Sequence, residues 1–260
     1  MKICRFTDPE TQRPAFGLIE GEKVFRLEGD LNAGNLSLKG SEPSIRLSDA
    51  QLLPPVAPSK IVCVGRNYRE HAAELGNPMP EEPLLFLKAP STIIGDGDLI
   101  ELPEASQRVE HEGELAVIIG RRCRRLADDE DPLSYVLGYT CLNDVTARDL
   151  QRRDVQFTRG KSFDTFCPVG PYVVTGLDPT DLSVETRVNG EVRQSGRTSA
   201  MAFPVPEVIR YISHAMTLEP GDLIATGTPA GVGPLLDGDL CEVEVEGVGV
   251  LRNHVRGVRV

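Results

Sequence analysis

Three carboxylates at alternate positions, Glu110, Glu112 and Glu114, open the stretch Val109–Gly120, which then runs into Leu-Ala-Val-Ile-Ile. As an extended strand it presents the acids on one face and Leu115, Val117 and Ile119 on the other, because successive side chains alternate. Same-face neighbours lie about 6–7 Å apart, close enough for ionised carboxylates to repel once they leave water. A cation between them would relieve that repulsion. Oxygen-only donors suit Mg²⁺ or Mn²⁺ and argue against zinc, which favours His and Cys. The rival reading is a solvated strand edge, since alternating acids are ordinary strand patterning.

Two other places carry groups of the right kind. Asp144 follows the apolar run Tyr135–Cys141 and Leu142-Asn143, and is a third candidate metal ligand. It is equally placed to cap a helical segment over 145–151, a common role for Asp. His71 and Glu74 stand three apart in a segment predicted helical over 67–75, so they share a face. A solvated helix surface explains them as well. His214, on the predicted helix Pro204–Met216, reads as structural.

The elements that must position these groups follow from periodicity and turn chemistry. Residues 2–27 form short strand-like runs broken by Asp-Pro and Glu20-Gly21-Glu22, a small β module. Residues 29–50 are rich in Gly, Ser and Asn. The stiff segment Leu53-Pro54-Pro55-Val56-Ala57-Pro58 then marks a domain boundary, dividing the chain into 1–52 and 58–260. Beyond it come a strand at Ile61–Val64, the 67–75 helix with Asn67 as N-cap and Gly76 as C′ residue, and a strand at Leu84–Leu87. The carboxylate strand 109–119, the strand 135–141, a mixed-charge loop 152–160 and a strand 171–175 follow. Asn189-Gly190 is a strong hairpin signal between 182–188 and 191–194. The helix Pro204–Met216 shows an apolar stripe of Val208, Ile209, Ile212 and Met216. A strand 223–225 leads to the glycine-rich loop 226–233, and 240–246 and 249–255 pair about Gly247. That loop lacks the lysine of a phosphate-binding loop, and no G-x-S-x-G elbow is present, so nucleotide binding and a serine-hydrolase triad are set aside.

Composition narrows the partners. The 260 residues carry a formal net charge of -11 with pI near 4.9, so the average surface repels nucleic acid and anionic lipid. An anionic substrate would need a local positive site. The first residues lack the apolar core of a signal peptide and no window approaches a membrane span, so a soluble cytoplasmic protein is expected. The six cysteines are widely spaced with no C-x-x-C pair, and buried free thiols are expected.

Taken in order, Gly65-Arg66-Asn67-Tyr68…His71, Glu112-Gly113-Glu114, Asn143-Asp144…Arg148-Asp149, Lys161-Ser162-Phe163-Asp164 and Gly227-Thr228-Pro229…Gly231-Val232-Gly233 resemble the fumarylacetoacetate hydrolase family from about residue 58 onward. Residues 1–50 resemble the small β domain that precedes the catalytic domain in many bacterial members. The resemblance implies an α+β fold, a mixed β-sheet roll with a small N-terminal β domain, assembled as a homodimer. It implies one divalent metal, Mg²⁺ or Mn²⁺, and action on small anionic 2-oxo acids by hydrolysis, decarboxylation, isomerisation or tautomerisation. Carried over, Glu112, Glu114 and Asp144 match the metal ligands, His71 and Glu74 the dyad that activates water, and Lys161 the lysine that steadies substrate charge. Arg66, Tyr68, Arg148, Gln151 and Thr228 match pocket-lining positions. Glu110 stays outside the ligand set.

The chemistry fits these parts. A 2-oxo acid can chelate a divalent cation, which as a Lewis acid favours the enolate formed when a bond to C3 breaks. An imidazole titrates near neutrality and suits the role of base. A metal-stabilised binding protein without turnover is the alternative, and a retained His, Glu and Lys set argues against it.

Overall fold

Gly113–Ile119 is buried throughout. Leu115, Val117 and Ile119 enter one apolar cluster and Ala116 and Ile118 another, so apolar material covers this strand on both faces. The computed structural model describes residues 1–29, 36–40 and 45–257. Within them the strand lies inside a 13-stranded mixed sheet, whose main path runs Ser37–Leu38, Lys23–Glu28, Pro14–Glu20, Lys2–Thr7, Cys167–Val174, Val136–Asn143, Gly113–Ile119, Leu223–Ala225, Ile61–Gly65, Leu84–Lys88. Lys2–Thr7 pairs antiparallel with Cys167–Val174, so the sheet continues from the N-terminal module into the rest of the chain.

A second sheet of five strands, Leu99–Leu102, Gly249–Gly257, Leu240–Val245, Ser183–Val188 and Glu191–Arg197, packs against the first. Val184, Val243, Val245 and Leu251 from it meet Leu115, Val117 and Ile119 in the larger apolar cluster. The cluster is completed by α4 (Val205–Ala215), which contributes Val208, Ile209 and Ile212. His214 of α4 reaches the Leu126 carbonyl at 3.2 Å, a structural contact. The architecture is the expected one of mixed sheets with few helices. The six cysteines are free and buried. Among the described residues no helix is long and apolar enough to cross a membrane.

Several local expectations need correction. The stretch 109–119 is not one strand: Val109–His111 pairs in a small separate sheet with Thr146–Ala147 and Gly233–Pro234, and the chain breaks at Glu112 before rejoining the large sheet. The first helix, α1 (Arg69–Glu74), starts at Tyr68 without a side-chain cap. Asn67 is no cap because its amide is used elsewhere, donating to the carbonyls of Phe203 (3.0 Å) and Thr226 (2.7 Å) and accepting from the Phe203 N–H. The end of α1 is as expected: Gly76 has φ 69, its N–H reaches the Ala73 carbonyl, and that of Asn77 reaches Ala72. The second helix, α2 (Arg148–Arg153), begins three residues later than expected, and its cap Ala147 has no side chain to offer. The mixed-charge loop contains a further short helix, α3 (Thr158–Lys161). The 84–87 strand extends through Lys88, the 135–141 strand becomes Val136–Asn143, and the 171–175 strand becomes Cys167–Val174. The Gly-, Ser- and Asn-rich stretch 29–50 includes Ser37–Leu38 and Ile45–Arg46, and falls in part outside the described residues. Asn189 and Gly190 both have positive φ, 53 and 78, as a two-residue type I′ hairpin requires.

Candidate metal centre and its cleft

Cross-strand register brings the acids together. Gly113 lies opposite Asn143 and Glu114 opposite Leu142, so the residues flanking that rung, Glu112 and Asp144, are neighbours. The Asp144 N–H donates to the Glu112 carbonyl at 2.8 Å, and the Asn143 side chain accepts the Glu112 N–H at 2.9 Å, holding the strand break in shape. Glu112, Glu114 and Asp144 each point one carboxylate oxygen into a common space, with those atoms within 4.8 Å of one another, and all three are buried.

Buried charge here is almost fully countered. The Lys161 ammonium, delivered by the end of α3, sits 2.6 Å from both Glu112 Oε2 and Asp144 Oδ2. Arg148 on α2 pairs with the other Glu112 oxygen and, at 2.6 Å, with Glu110. Burial would raise the Glu112 carboxyl, but Lys161, then Arg148 and His71, hold it well below the ordinary range. Burial likewise opposes the charge of Lys161, but Asp144 and Glu112 raise it to about 12. Both stay charged. Glu110, bridging Arg108 and Arg148, serves as an anchor for Arg148.

Glu114 is the exception. It accepts the Gly227 N–H at 2.7 Å, and among the described residues no cation pairs with it directly. Burial pushes its carboxyl well above the ordinary range, Asp144 and Glu112 add to the rise, and Lys161 offsets only part of it. A buried carboxylate two residues from a second acid and beside a third, without its own cation, is what a divalent ion would complete. The three residues therefore fit a hard, oxygen-seeking cation.

They open onto a cleft of about 180 Å³. Its wall includes His71, Lys161, Arg66, Arg148, Gln151 and Thr228 along with the three acids. Glu74 stands behind His71, with Oε2 3.3 Å from Nδ1, and also accepts the Gly231 N–H at 3.1 Å, tying α1 to the glycine-rich loop. With Nδ1 donating to Glu74, His71 would present Nε2 as the base. Gln151 accepts from Arg148 at 2.6 Å. Tyr68 is not brought to the cleft wall: its ring is packed in the larger apolar cluster, and its buried hydroxyl has no partner among the described residues.

Two positioning residues escaped the sequence reading. Lys88, fully buried, bonds Asp144 Oδ1 at 2.7 Å and also reaches the backbone carbonyls of Val145 and Lys161. Its only sequence signal was a lysine closing an apolar strand. Gln194, 0% exposed, accepts from the Gly113 N–H (3.0 Å) and His111 Nδ1 (3.1 Å), and donates to Thr228 Oγ1 (2.6 Å) and the Pro229 carbonyl (2.7 Å). Burial keeps the His111 imidazole below its usual value, hence neutral, which suits Nδ1–H donation to Gln194. Gln194 thus joins the acid-bearing strand to the loop that lines the cleft. Its signal was a polar residue at an inward position of the hairpin, opposite Thr186.

Comparison with known proteins places this arrangement. The family model for the fumarylacetoacetate hydrolase C-terminal domain matches residues 60–256, and one described as Rv2993c-like, N-terminal, matches residues 1–55. The oxaloacetate tautomerase YisK of Bacillus subtilis is 47% identical over 224 residues, covering 80% of this chain and 74% of that protein. The bovine mitochondrial oxaloacetate tautomerase FAHD2A is 44% identical over 288 residues, covering 98% of this chain and 91% of its own. Among solved structures, the 5-carboxymethyl-2-hydroxymuconate delta-isomerase of Mycobacterium smegmatis superposes with TM-score 0.90 at 43% identity, covering 99% of this chain and 100% of the other. With the acid trio, the cleft and the matched span agreeing, the chain belongs to the fumarylacetoacetate hydrolase family.

Proposed function

We propose that this protein is a Mg²⁺- or Mn²⁺-dependent enzyme that moves a proton between C3 and the keto oxygen of a small 2-oxo acid, a tautomerase or isomerase. The observation that carries this reading is His71, backed by Glu74, on the wall of the same cleft as the acid trio. A divalent cation held by Glu112, Glu114 and Asp144 would supply a Lewis acid toward the carboxylate and keto oxygens of the substrate. His71 Nε2 takes the C3 proton, the C–H electron pair passes toward the keto oxygen, and the imidazolium, steadied by Glu74, returns that proton to the enolate oxygen, the reverse sequence converting enol to keto form. Lys161 places positive charge near the developing oxyanion and Arg148 holds Glu112 in place. The edge-to-face pair Phe86 and Phe157, 5.6 Å apart, gives the cleft an apolar side that limits water. The relatives named as oxaloacetate tautomerases and isomerases favour this over decarboxylation. Hydrolysis of an acylpyruvate is the second reading, because the same His71 and Glu74 pair could activate water.

The test is a panel of oxaloacetate, acetylpyruvate, fumarylpyruvate and a hydroxyheptadienedioate, each with Mg²⁺ or Mn²⁺ and again with excess chelator. Chelator-sensitive loss of the oxaloacetate enol without release of pyruvate supports tautomerisation. Cleavage of acetylpyruvate in its place supports hydrolysis, and binding without turnover anywhere in the panel supports a binding protein. A homodimer in the cytoplasm completes the proposal, and light scattering at several concentrations tests the assembly.

A further inference from the structure

We infer that Gln194 is a positioning residue for the metal centre: a closed ring of hydrogen bonds through Gly113, Gln194 and Thr228 fixes the spacing of Glu112 and Glu114 and so sets the affinity for the cation. The inference rests on the metal reading above and adds what holds two of the ligands in register.

The ring fills a gap in the large sheet. The Glu112 N–H and C=O both turn toward Val136–Asn143 and its end, bonding the Asn143 side chain and the Asp144 N–H. The Gly113 N–H and C=O therefore turn the opposite way, because successive residues of an antiparallel strand alternate in this. On that side the neighbouring strand Leu223–Ala225 pairs with Ala116, Val117 and Ile118, and the Thr226 N–H then reaches the Leu115 carbonyl. The chain next leaves for the glycine-rich loop, so among the described residues no strand lies beside Gly113 there. Side chains stand in for it. Gln194 Oε1 accepts the Gly113 N–H at 3.0 Å, and Thr228 Oγ1 donates to the Gly113 carbonyl at 2.8 Å. Gln194 Nε2 donates to Thr228 Oγ1 at 2.6 Å, which closes the circle.

Polarity runs one way round it. Gly113 donates to Gln194, Gln194 to Thr228 and Thr228 back to Gly113, so the bonds polarise one another. A flipped amide would set Nε2 against the Gly113 N–H and Oε1 against the Pro229 carbonyl, so one orientation alone closes the ring. His111 Nδ1 also donates to Oε1 at 3.1 Å and Nε2 also donates to Pro229 at 2.7 Å, which fills both acceptor and both donor positions of this fully buried amide. Shape seats the loop on the same hairpin strand: a Cβ on Gly231 would lie 2.0 Å from the Arg193 carbonyl oxygen. The consequence falls on the ligands. Gly113 stands between Glu112 and Glu114, and the Gly227 N–H, next to Thr228, holds the Glu114 carboxylate at 2.7 Å. Opening the ring leaves a buried peptide unsatisfied on both sides, so it turns toward other partners and carries the flanking acids with it.

The experiment measures Mn²⁺ binding by calorimetry, without substrate, to the wild type, Gln194→Met, Thr228→Val and the double variant. Each single substitution should weaken binding by about 10- to 100-fold, the scale of loss when a group that orients metal ligands is removed. The double variant should be within about threefold of the weaker single one, because a ring is opened only once. Val184→Ala, a core change on the paired strand outside the ring, should lower the thermal midpoint yet bind Mn²⁺ as the wild type does. At saturation, the electron paramagnetic resonance spectrum of bound Mn²⁺ should change in Gln194→Met and not in Val184→Ala, a signature that lost stability alone does not produce. Wild-type affinity in either single variant, losses that multiply in the double, or an equal loss in Val184→Ala overturns the inference. If Gln194→Met is not recovered folded, Thr228→Val alone gives the reading; failure of both to fold assigns the ring to stability and overturns its role at the metal. A wild type that binds no Mn²⁺ refutes the metal centre, and this inference with it, before any variant is compared.

Discussion

Gly113, between the two acids of the ligand strand, gives the sharpest test of how the site is held. A Cβ added there would lie 2.0 Å from Thr186 Oγ1 on the facing sheet and 3.2 and 3.3 Å from the two Val243 methyl carbons. Ordinary contact begins near 3.4 Å, so Gly113→Ala forces a separation of 3.4 − 2.0, about 1.4 Å, between backbone and Thr186. Overpacking of this kind costs about 1–3 kcal/mol, a fall of about 2–12 °C in thermal midpoint for a chain of this size. Because Glu112 and Glu114 flank the displaced residue, a shift of about 1 Å at the acids should also lower turnover about 10²-fold. Thr186→Ala supplies the complement. Thr186 Oγ1 has no partner among the described residues, so its removal forfeits no hydrogen bond and costs only the buried methyl, about 1 kcal/mol. The double variant should therefore be more stable and more active than Gly113→Ala alone, with a coupling of about 1–2 kcal/mol in the cycle. Thermal unfolding, calorimetric Mn²⁺ binding and oxaloacetate enol decay are measured on all four proteins. Strict additivity, or a Gly113→Ala protein with wild-type stability and rate, would refute the steric account.

His71→Ala should lower tautomerisation by roughly 10²–10⁴-fold with Mn²⁺ affinity nearly unchanged, and a rate equal to wild type would remove His71 as the base. Lys88→Met leaves Asp144 buried with one of its two cations gone, so denaturant unfolding should show a loss of about 3–5 kcal/mol; a loss below about 1 kcal/mol would make Lys88 incidental. Glu114 supplies the pH dependence. Its folded carboxyl lies well above the ordinary 4.5, so in metal-free protein the stability tied to its proton is present below 4.5 and is lost as pH rises toward the folded value. Mn²⁺ replaces that proton, so the thermal shift on adding it should grow with pH and calorimetry in two buffers should register proton release, both weakened in Glu114→Gln. A shift independent of pH would contradict the unpaired, buried state of Glu114.

Local pattern was enough for much of the frame. Alternation identified the acids, Asn189-Gly190 the hairpin, the 3.6-residue stripe α4, and Gly76 the end of α1, because each signal depends on backbone preferences that act over a few residues. Motif order identified the family. Local pattern misplaced what long-range partners decide. Asn67 has the right chemistry for a helix cap, yet its amide is claimed by Phe203 and Thr226, 136 and 159 residues away. Asp144 looked equally fit for a cap or a ligand, and only the register of Gly113 against Asn143, with Lys88 and Lys161 arriving from distant segments, turns it to the acid trio. The break at Glu112 was invisible because the residues around it pattern as one strand, while the two halves pair in different sheets. The sequence by itself determined the types of groups available, their local spacing and the family. The tertiary structure alone decided which buried charges are neutralised, as Glu112 and Asp144 are by Lys161, and which, like Glu114, have no directly paired cation among the described residues. Pairing of buried charge depends on distances between side chains far apart in the chain, and no short-range pattern encodes those distances.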